Sequence, residues 1–156
     1  MGHHGVMRRF WPNLAGLVVP ALALAACSTG PSYPVVSQAD ADILIEAKRL
    51  LSDESKWTRN EDAQCDLDAL QWTLFCALQK ASFTVTGSYE LRRVALEDTR
   101  YTIDKMMGPE TLERRLIDYN NLPGTTFADI QTVLDRTLAR VNARLAQLKT
   151  AEGPSQ

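Results

Sequence analysis

The sequence predicts an all-α protein, a compact bundle of four to five helices that follows a cleaved signal peptide and a short tether. In five segments, apolar residues recur three and four positions apart, and no segment alternates apolar and polar residues as a strand would. Patterns typical of capping boxes precede two of the segments. The predicted helices are 37–51, 66–85, 89–107, 110–119 and 127–148.

The first 26 residues have the composition of a secretory signal peptide. Arg8 and Arg9 form a positive start, and an apolar stretch with small residues follows. The clean apolar run, residues 14–26, is shorter than the ~20 residues that cross a bilayer as a helix. We therefore expect this segment to be removed on export and not to remain as a transmembrane helix.

The leader ends in Leu24-Ala25-Ala26-Cys27, which resembles the lipobox of bacterial lipoproteins. The resemblance implies that the Cys27 thiol carries a diacylglycerol, that the chain is cut before Cys27, and that the new N-terminus is acylated. Each buried methylene contributes about 0.8 kcal/mol, so two or three acyl chains anchor a protein to a membrane. Ser28 resembles the sorting signal for the outer membrane, facing the periplasm, in a cell with two membranes.

The segment between Cys27 and the first helix is expected to act as a tether. It contains two prolines and no charge, and residues 28–36 span under about 30 Å at about 3.1 Å per residue. The helical domain is therefore expected close to the membrane surface. The predicted parts are a signal peptide (1–26), a lipidated tether (27–36), a helical domain (37–149) and a polar tail (150–156).

Local signals mark where each helix begins and ends. Ser37 and Asp40 have the spacing of a capping box, and the polar segment 52–64 is expected to be a loop pinned by Trp57. Residues 66–85 are the most apolar segment and are expected at the centre of the bundle. Gly87-Ser88 ends this helix, Gly108-Pro109 ends the next, and Thr126 and Asp129 form a second capping box before the last helix.

The composition of residues 27–156 excludes several classes of function. Arg8 and Arg9 belong to the leader, which leaves 15 of the 17 basic residues against 19 acidic ones, whereas nucleic-acid-binding domains are basic. His3 and His4 also precede the lipobox, so the domain has no histidine for acid–base catalysis, for a catalytic triad or for a typical catalytic zinc site. We predict no catalytic residue, no cofactor, no metal ion and no nucleic-acid partner.

Cys65 and Cys76 raise the question of a disulfide bond, because an exported protein meets an oxidising compartment. On one helix the two residues would be roughly 16 Å apart at 1.5 Å per residue, whereas a disulfide needs Cα atoms within about 7 Å. We therefore expect two free thiols. A disulfide would require a loop that folds Cys65 back over the helix.

Acidic residues cluster just before and at the start of the second predicted helix, at Glu61, Asp62, Asp66 and Asp68. Carboxylates of this kind bind divalent cations, but the segment lacks the glycine and the final bidentate glutamate of a calcium loop. We therefore interpret Asp66 as the cap of the second helix and the other carboxylates as favourable charges near its positive end.

Two polar clusters are candidate binding sites. Asp118, Tyr119, Asn120 and Asn121 place a carboxylate, a phenol and two amides beside a Pro-Gly turn, although the same residues are typical of a turn that links two helices. The second cluster consists of Arg136, Arg140 and Arg144, four residues apart on the last helix, where like charges repel by a few tenths of a kcal/mol.

The arginine cluster has two interpretations. It is suited to phosphate groups or an acidic partner, and it is equally consistent with an exposed ridge or with pairing to carboxylates of another helix, such as Glu97 or Asp98. The second interpretation is favoured, since the negative end of the helix dipole lies near these residues.

Three motifs of the domain resemble an uncharacterised bacterial family of small helical proteins. They are Trp57, the segment "LFCALQKA" (74–81) and the segment "DYNNLPGTT" (118–126). The family has a Cys-Ala-x-x-Ala helix and a W-N-D-x-P-G-x-T helix junction, in which Tyr119 stands here for the Trp and Asn121 for the Asp. The resemblance covers about 39–148, and it implies a helical fold without implying an activity.

Together these features predict a membrane-anchored envelope lipoprotein of unknown activity that is not an enzyme and serves as a binding or structural module. Its expected partners are the membrane, through the acyl chains on Cys27, and an envelope protein. The alternative is a carboxylate-dependent hydrolase that acts on cell-wall material, and it is disfavoured by the missing histidines.

Overall fold

The computed structural model of the chain describes Met1 and residues 34–61, 63–108 and 112–151. The chain divides into two units, Met1–Ser32 and Tyr33–Gln156. The predicted signal peptide, Cys27 and most of the tether lie outside the described residues. In the described part of the second unit the all-α prediction is confirmed, with five helices and no strand. The helices are α1 (Gln38–Leu50), α2 (Leu74–Thr86), α3 (Val94–Met107), α4 (Arg115–Asn121) and α5 (Phe127–Ala151).

The start of α1 is the predicted capping box. The backbone N–H and the hydroxyl of Ser37 both donate to Asp40 Oδ2 at 2.8 Å. Asp40 is only 2% exposed, and its other oxygen accepts from the backbone N–H of Ala95 at 3.2 Å, in the first turn of α3. The carboxylate that starts α1 therefore also joins α1 to α3.

The second helix begins eight residues later than predicted, at Leu74. The side chain of Thr73 accepts from the backbone N–H of Cys76 at 3.1 Å and caps α2. The interpretation of Asp66 as the cap is wrong, because its Oδ1 accepts from the backbone N–H of Asp68 at 3.0 Å in a turn of the preceding loop. Leu74 to Leu78 are all buried, as expected of a central helix.

The loop between α1 and α2 folds back on itself. It contains a 3₁₀ turn, Glu54–Lys56, and its two ends meet in an isolated parallel bridge between Trp57 and Trp72. The backbone N–H of Trp72 donates to Lys56 O at 2.7 Å, and that of Thr58 donates to Trp72 O at 3.0 Å. These bonds return the chain to the start of α2.

Cys65 and Cys76 form a disulfide bond, so the expectation of free thiols is wrong. Their Cα atoms are 5.3 Å apart and their sulfur atoms 2.06 Å apart. Cys65 lies in the folded-back loop and Cys76 in the first turn of α2, so the distance along a single helix does not apply. The loop folds Cys65 back over the helix, which is the condition that a disulfide required.

Glycines end α2 and α3, as predicted. Gly87 follows α2 with φ 74° and Gly108 follows α3 with φ 95°, values that favour glycine over other residues. The start of α3 is Val94, whereas the sequence predicted residue 89. At residue 89 the ring of Tyr89 instead packs edge-on against Phe75, with centroids 6.2 Å apart.

The core lies where α1 packs against α2 and α5, and where α3 packs against α5. The largest fully buried side chains include Ile43, Leu44, Leu78, Leu96, Ile103 and Leu134. The buried residues of α5 end at Val141, although the helix continues to Ala151, beyond its predicted end at 148. Within the described ranges, none of the helices has the length and apolar character needed to span a bilayer.

Candidate functional site

Asn120 joins three parts of the chain from the centre of the fold. Its side-chain Oδ1 accepts from the indole Nε1 of Trp57 at 2.8 Å and from the backbone N–H of Leu74 at 3.0 Å. Its Nδ2 donates to Thr58 O at 3.1 Å, and the residue is 0% exposed. The prediction that Trp57 pins the loop is confirmed. Asn120 is therefore placed as a structural link among the loop, α2 and α4, and it is not accessible to a ligand.

The neighbours of Asn120 in the predicted cluster are also engaged. Asp118 accepts from the backbone N–H of Arg114 at 2.7 Å and pairs with its guanidinium at 3.1 Å. Asn121 donates from Nδ2 to Asn60 O and to Ile117 O, both at 2.9 Å. These bonds tie α4 to the loop and to its own first turn.

Two residues of the predicted arginine cluster, Arg140 and Arg144, pair with a buried carboxylate of α3. Arg144 Nη1 donates to both oxygens of Asp98, at 2.9 and 2.8 Å, and Arg140 Nε lies 3.2 Å from Asp98 Oδ1. The Arg140 guanidinium also stacks on the ring of Tyr101, 3.9 Å from its centroid. Asp98 is 1% exposed. Of the alternatives that the sequence left open, pairing with a carboxylate of another helix is the one observed for Arg140 and Arg144.

Tyr119, the remaining member of the predicted cluster, lines a cleft of about 440 Å³ between the end of α3, α4 and the start of α5. The other residues that line the cleft are Met106, Met107, Leu122, Pro123, Gly124, Thr125 and Asp129. Tyr119 is 3% exposed. Clefts of this size, mostly apolar and with a few polar groups, are typical ligand sites.

The residues after α4 hold Tyr119 in this position. Thr125 Oγ1 donates to Tyr119 O at 2.8 Å, and the backbone N–H of Thr125 donates to Leu122 O at 3.0 Å across the Pro-Gly turn. On the other side of α4, the bonds of Asn120 fix the rotation of the helix. Asn120 therefore acts as a positioning residue for the Tyr119 ring.

The second predicted capping box is confirmed at the start of α5. Its residue Asp129 also lines the cleft. Asp129 Oδ2 accepts from the backbone N–H of Thr126 at 2.8 Å and from its hydroxyl at 2.7 Å. These bonds lower the pKa of Asp129 below its ordinary value. One oxygen of this carboxylate is thus already occupied by Thr126.

Arg136, the remaining arginine of the predicted cluster, is not among the residues that line the cleft. It is exposed and lies seven residues after Asp129, two turns along the same face of α5, and helical side chains lean towards the N-terminus of their helix. Burial and the charge of Asp129 raise the pKa of Tyr119, while the positive charge of Arg136 lowers it. Of the two predicted clusters, the first therefore contributes Tyr119 to the lining of the cleft, and the arginines of the second do not line it.

Sequence reasoning did not predict the apolar walls of the cleft. Met106 and Met107 end α3, and Leu122 and Pro123 follow α4. No local pattern indicates that these two helix ends meet. The only signal in the sequence is that each segment contains apolar residues next to a helix stop.

A second cleft, of about 310 Å³, lies beside Phe75, Leu91 and Ile117. Each of the three arginines around it already pairs with a carboxylate. The pairs are Arg100 with Glu97 at 3.1 Å, Arg114 with Asp118 at 3.1 Å and Arg115 with Asp104 at 2.6 Å. Because these charges are compensated, the Tyr119 cleft is the better candidate site.

The acidic residues at 61–68, in the loop between α1 and α2, are the remaining group of possible metal ligands. In the described ranges, no three residues among His, Cys, Asp and Glu lie together in a way that would hold a metal ion. Asp62 lies outside those ranges.

The fold and the cleft define a small helical domain with a polar helix junction. The sequence of this domain places it in a protein family. The chain belongs to a family of unknown function, DUF6197, whose sequence profile matches residues 36–140. The match includes Trp57, the disulfide cysteines, Tyr119 and Arg136, and it ends before Arg144. No curated protein and no solved structure matches the chain.

Proposed function

We propose that the protein is a lipid-anchored protein of the cell envelope whose helical domain is a binding module and not an enzyme. The observation that carries this proposal is the Cys65–Cys76 disulfide in a chain with a lipobox. Disulfides persist in oxidising compartments outside the cytosol, which is where a lipoprotein signal peptide directs its domain. The disulfide and the lipobox lie in separate parts of the chain, and both indicate a compartment outside the cytosol.

The position of Pro34 and Val36, just before α1, supports a domain held close to the membrane. Pro34 O accepts from Arg144 Nη2 at 3.4 Å, and Val36 is 6% exposed, so the chain joins the fold immediately before α1. Pro34 is seven residues after Cys27 in the sequence, and a linker of that length would span about 22 Å at about 3.1 Å per residue. In a cell with two membranes, Ser28 favours the outer membrane, with the domain in the periplasm.

The alternative, a hydrolase that uses carboxylates, receives less support. A general acid needs a carboxyl group whose proton is available to a substrate. Among the described residues, the two buried carboxylates are Asp40 and Asp98, and they already accept bonds from Ser37, Ala95 and Arg144. A binding module at the Tyr119 cleft is the function that the geometry favours.

The lipid anchor is tested by replacing Cys27 with Ala in cells that also receive an alkyne-labelled fatty acid. We expect the wild type to carry the label and to enter the detergent phase, whereas Cys27→Ala remains as an unlabelled precursor or as a soluble form. The matched control is Cys65→Ala, which should keep the label and lose only the disulfide. If Cys27→Ala matures and partitions like the wild type, the lipoprotein proposal is wrong.

The oxidation state of Cys65 and Cys76 tests export independently of the lipid anchor. Alkylation of denatured, unreduced protein should leave Cys65 and Cys76 unlabelled, and both should react after reduction. The partner is then sought by crosslinking in intact cells. Capture of a specific envelope protein supports a binding module, whereas capture of cell-wall fragments alone supports the hydrolase.

A further inference from the structure

We propose that one face of the domain rests on the membrane surface and binds the headgroups of anionic phospholipids. This face, which we call the cationic face, consists of Tyr101 and Lys105 of α3 and of Arg136, Arg140 and Arg144 of α5. The inference rests on the proposed lipid anchor. It adds the orientation of the anchored domain and the class of lipid that the domain contacts.

The packing of α3 against α5 brings these five residues to one side of the bundle. The Lys105 ammonium and the Arg140 guanidinium both lie over the Tyr101 ring, 5.3 and 3.9 Å from its centroid. Arg136 and Arg144 lie four residues before and after Arg140, so they share its side of α5. Four basic side chains therefore surround one aromatic ring on this side of the two helices.

The positive charge of the cationic face exceeds the negative charge that compensates it. Asp98, which pairs with Arg140 and Arg144, is only 1% exposed. Lys105 and Arg136 are exposed, and no carboxylate of the described residues lies within ion-pair distance of either. The face therefore presents a surplus of positive charge to the solvent, which an anionic surface would complement.

Three acidic residues adjoin the cationic face in sequence, and each pairs with a basic residue outside it. The pairs are Glu97 with Arg100 at 3.1 Å, Asp104 with Arg115 at 2.6 Å, and Asp135 with Lys48. Because these carboxylates are compensated by other residues, they leave the positive charge of the face in place.

One end of the cationic face meets the segment that leads to the proposed anchor. Arg144 Nη2 donates to Pro34 O at 3.4 Å. Both residues line a groove of about 390 Å³ together with Val35 and Leu148, which are 79% and 38% exposed. A linker of the seven residues from Cys27 to Pro34 would span about 22 Å at about 3.1 Å per residue. Headgroups are therefore within reach of the face, which favours a lipid surface over an acidic protein.

The side chains of the cationic face are of the types found at membrane interfaces. Arginine and lysine bury their aliphatic stems while their charged ends reach the headgroups. Tyrosine is enriched at this level because its ring is apolar and its hydroxyl is polar. Each basic residue near an anionic membrane surface strengthens binding about five-fold, and the exposed Val35 and Leu148 add apolar contact at one end.

The test measures lysine reactivity in the processed protein on nanodiscs of two compositions. Nanodiscs of phosphatidylcholine alone are neutral, whereas those in which phosphatidylglycerol replaces part of this lipid are anionic. Limited acetylation followed by mass spectrometry gives the rate for Lys105, and Lys56, an exposed lysine between α1 and α2, is the control. We expect phosphatidylglycerol to slow the acetylation of Lys105 at least about three-fold and to leave that of Lys56 unchanged. High salt should abolish the difference, because it screens exposed charges.

Variants test whether the cationic face itself is responsible for the protection. Arg136→Gln should weaken the docking about five-fold, so that Lys105 regains most of its reactivity. The matched control is Arg49→Gln, an exposed arginine of α1, which should leave the protection unchanged. Val35→Ser should also weaken the docking, whereas Ile45→Ser, which removes an exposed apolar side chain of α1, should not.

The outcomes separate the inference from the proposed anchor. Equal acetylation of Lys105 on both nanodiscs, equal protection of Lys56, or equal effects of the two arginine variants would overturn the inference and leave the anchor intact. If Lys105 reacts equally on both nanodiscs but is protected in intact cells, the lipid surface is wrong and the face is assigned to an acidic protein.

The inference is also decided if Cys27→Ala disproves the anchor. The protein is then mixed with vesicles that contain phosphatidylglycerol. Salt-sensitive protection of Lys105 on these vesicles would support the binding of anionic lipid without an anchor, and its absence would overturn the inference.

Discussion

Asp98 on α3 accepts two hydrogen bonds from one guanidinium nitrogen of Arg144 on α5, at 2.9 and 2.8 Å. The carboxylate is 1% exposed, and Arg140 lies 3.2 Å from the same group. A buried charge is tolerated when it is paired and hydrogen-bonded. Two of the three like charges on α5, those of Arg140 and Arg144, are thus compensated by a carboxylate of another helix.

Replacing Arg144 with Gln should lower the free energy of unfolding by about 3 kcal/mol, because the buried Asp98 loses its main partner. The matched control is Arg136→Gln, an exposed residue, which should change stability by no more than about 0.5 kcal/mol. Urea unfolding followed by circular dichroism measures both. Equal effects of the two variants would show that the Asp98 pairing contributes nothing particular to stability.

Removing the disulfide should also destabilise the domain. Cys65 and Cys76 are 11 residues apart in sequence, and closing a loop of this length stabilises a fold by about 3 kcal/mol in the chain-entropy account. The double variant Cys65→Ser/Cys76→Ser should unfold at a lower urea concentration than the wild type. A reductant should lower the stability of the wild type and leave that of the double variant unchanged. A reductant effect of the same size in the double variant would contradict this prediction.

Asn120→Ala should be the most damaging change at the helix junction. It leaves the Trp57 indole and the backbone N–H of Leu74 without an acceptor, and each unsatisfied buried group costs about 1–3 kcal/mol. Asn121→Ala is the neighbouring control, with an expected cost of about 1 kcal/mol, since its bonds are partly exposed. Urea unfolding gives the two costs, and Trp57 fluorescence reports whether the indole is released. Similar costs for the two variants would mean that the Asn120 link is not important.

The second capping box predicts a dependence of stability on pH. Thr126 lowers the pKa of Asp129 in the folded state below its ordinary value of 3.8. Because the folded pKa is the lower one, the contribution of Asp129 to stability is present above pH 3.8 and is lost as the pH falls through the folded pKa. Thermal unfolding from pH 2 to pH 7 measures this loss.

Thr126→Ala provides the variant for that measurement. It should cost about 1 kcal/mol near pH 7, as the loss of a helix cap does, and the difference from the wild type should shrink in acid. Thr132→Ala, which removes a hydroxyl bonded to Ala128 O within the same helix, is the control and should show no such pH dependence. A cost for Thr126→Ala that stays constant down to pH 2 would exclude Asp129 as the titrating partner.

The sequence by itself determined the fold class and the ends of several helices. Ser37 and Asp40 start α1, Gly87 and Gly108 end α2 and α3, and Thr126 starts the last helix. These signals depend on residues within one turn of each other, so they can be read without knowing the rest of the fold. The start of α2 was missed because the polar loop residues before it resemble a cap as closely as Thr73 does.

Tertiary structure decided the contacts that give the domain its site. The disulfide, the pairing of Asp98 with Arg144 and the bonds of Asn120 join residues that are close only after the long loop and α3 have folded back onto their neighbours. Sequence reasoning selected Tyr119 and Arg136 as members of separate clusters. Only the packing of α3, α4 and α5 places Tyr119 beside a cleft and leaves Arg136 out of its lining, because distances between helices depend on how the chain is closed and not on the spacing of residues within a helix.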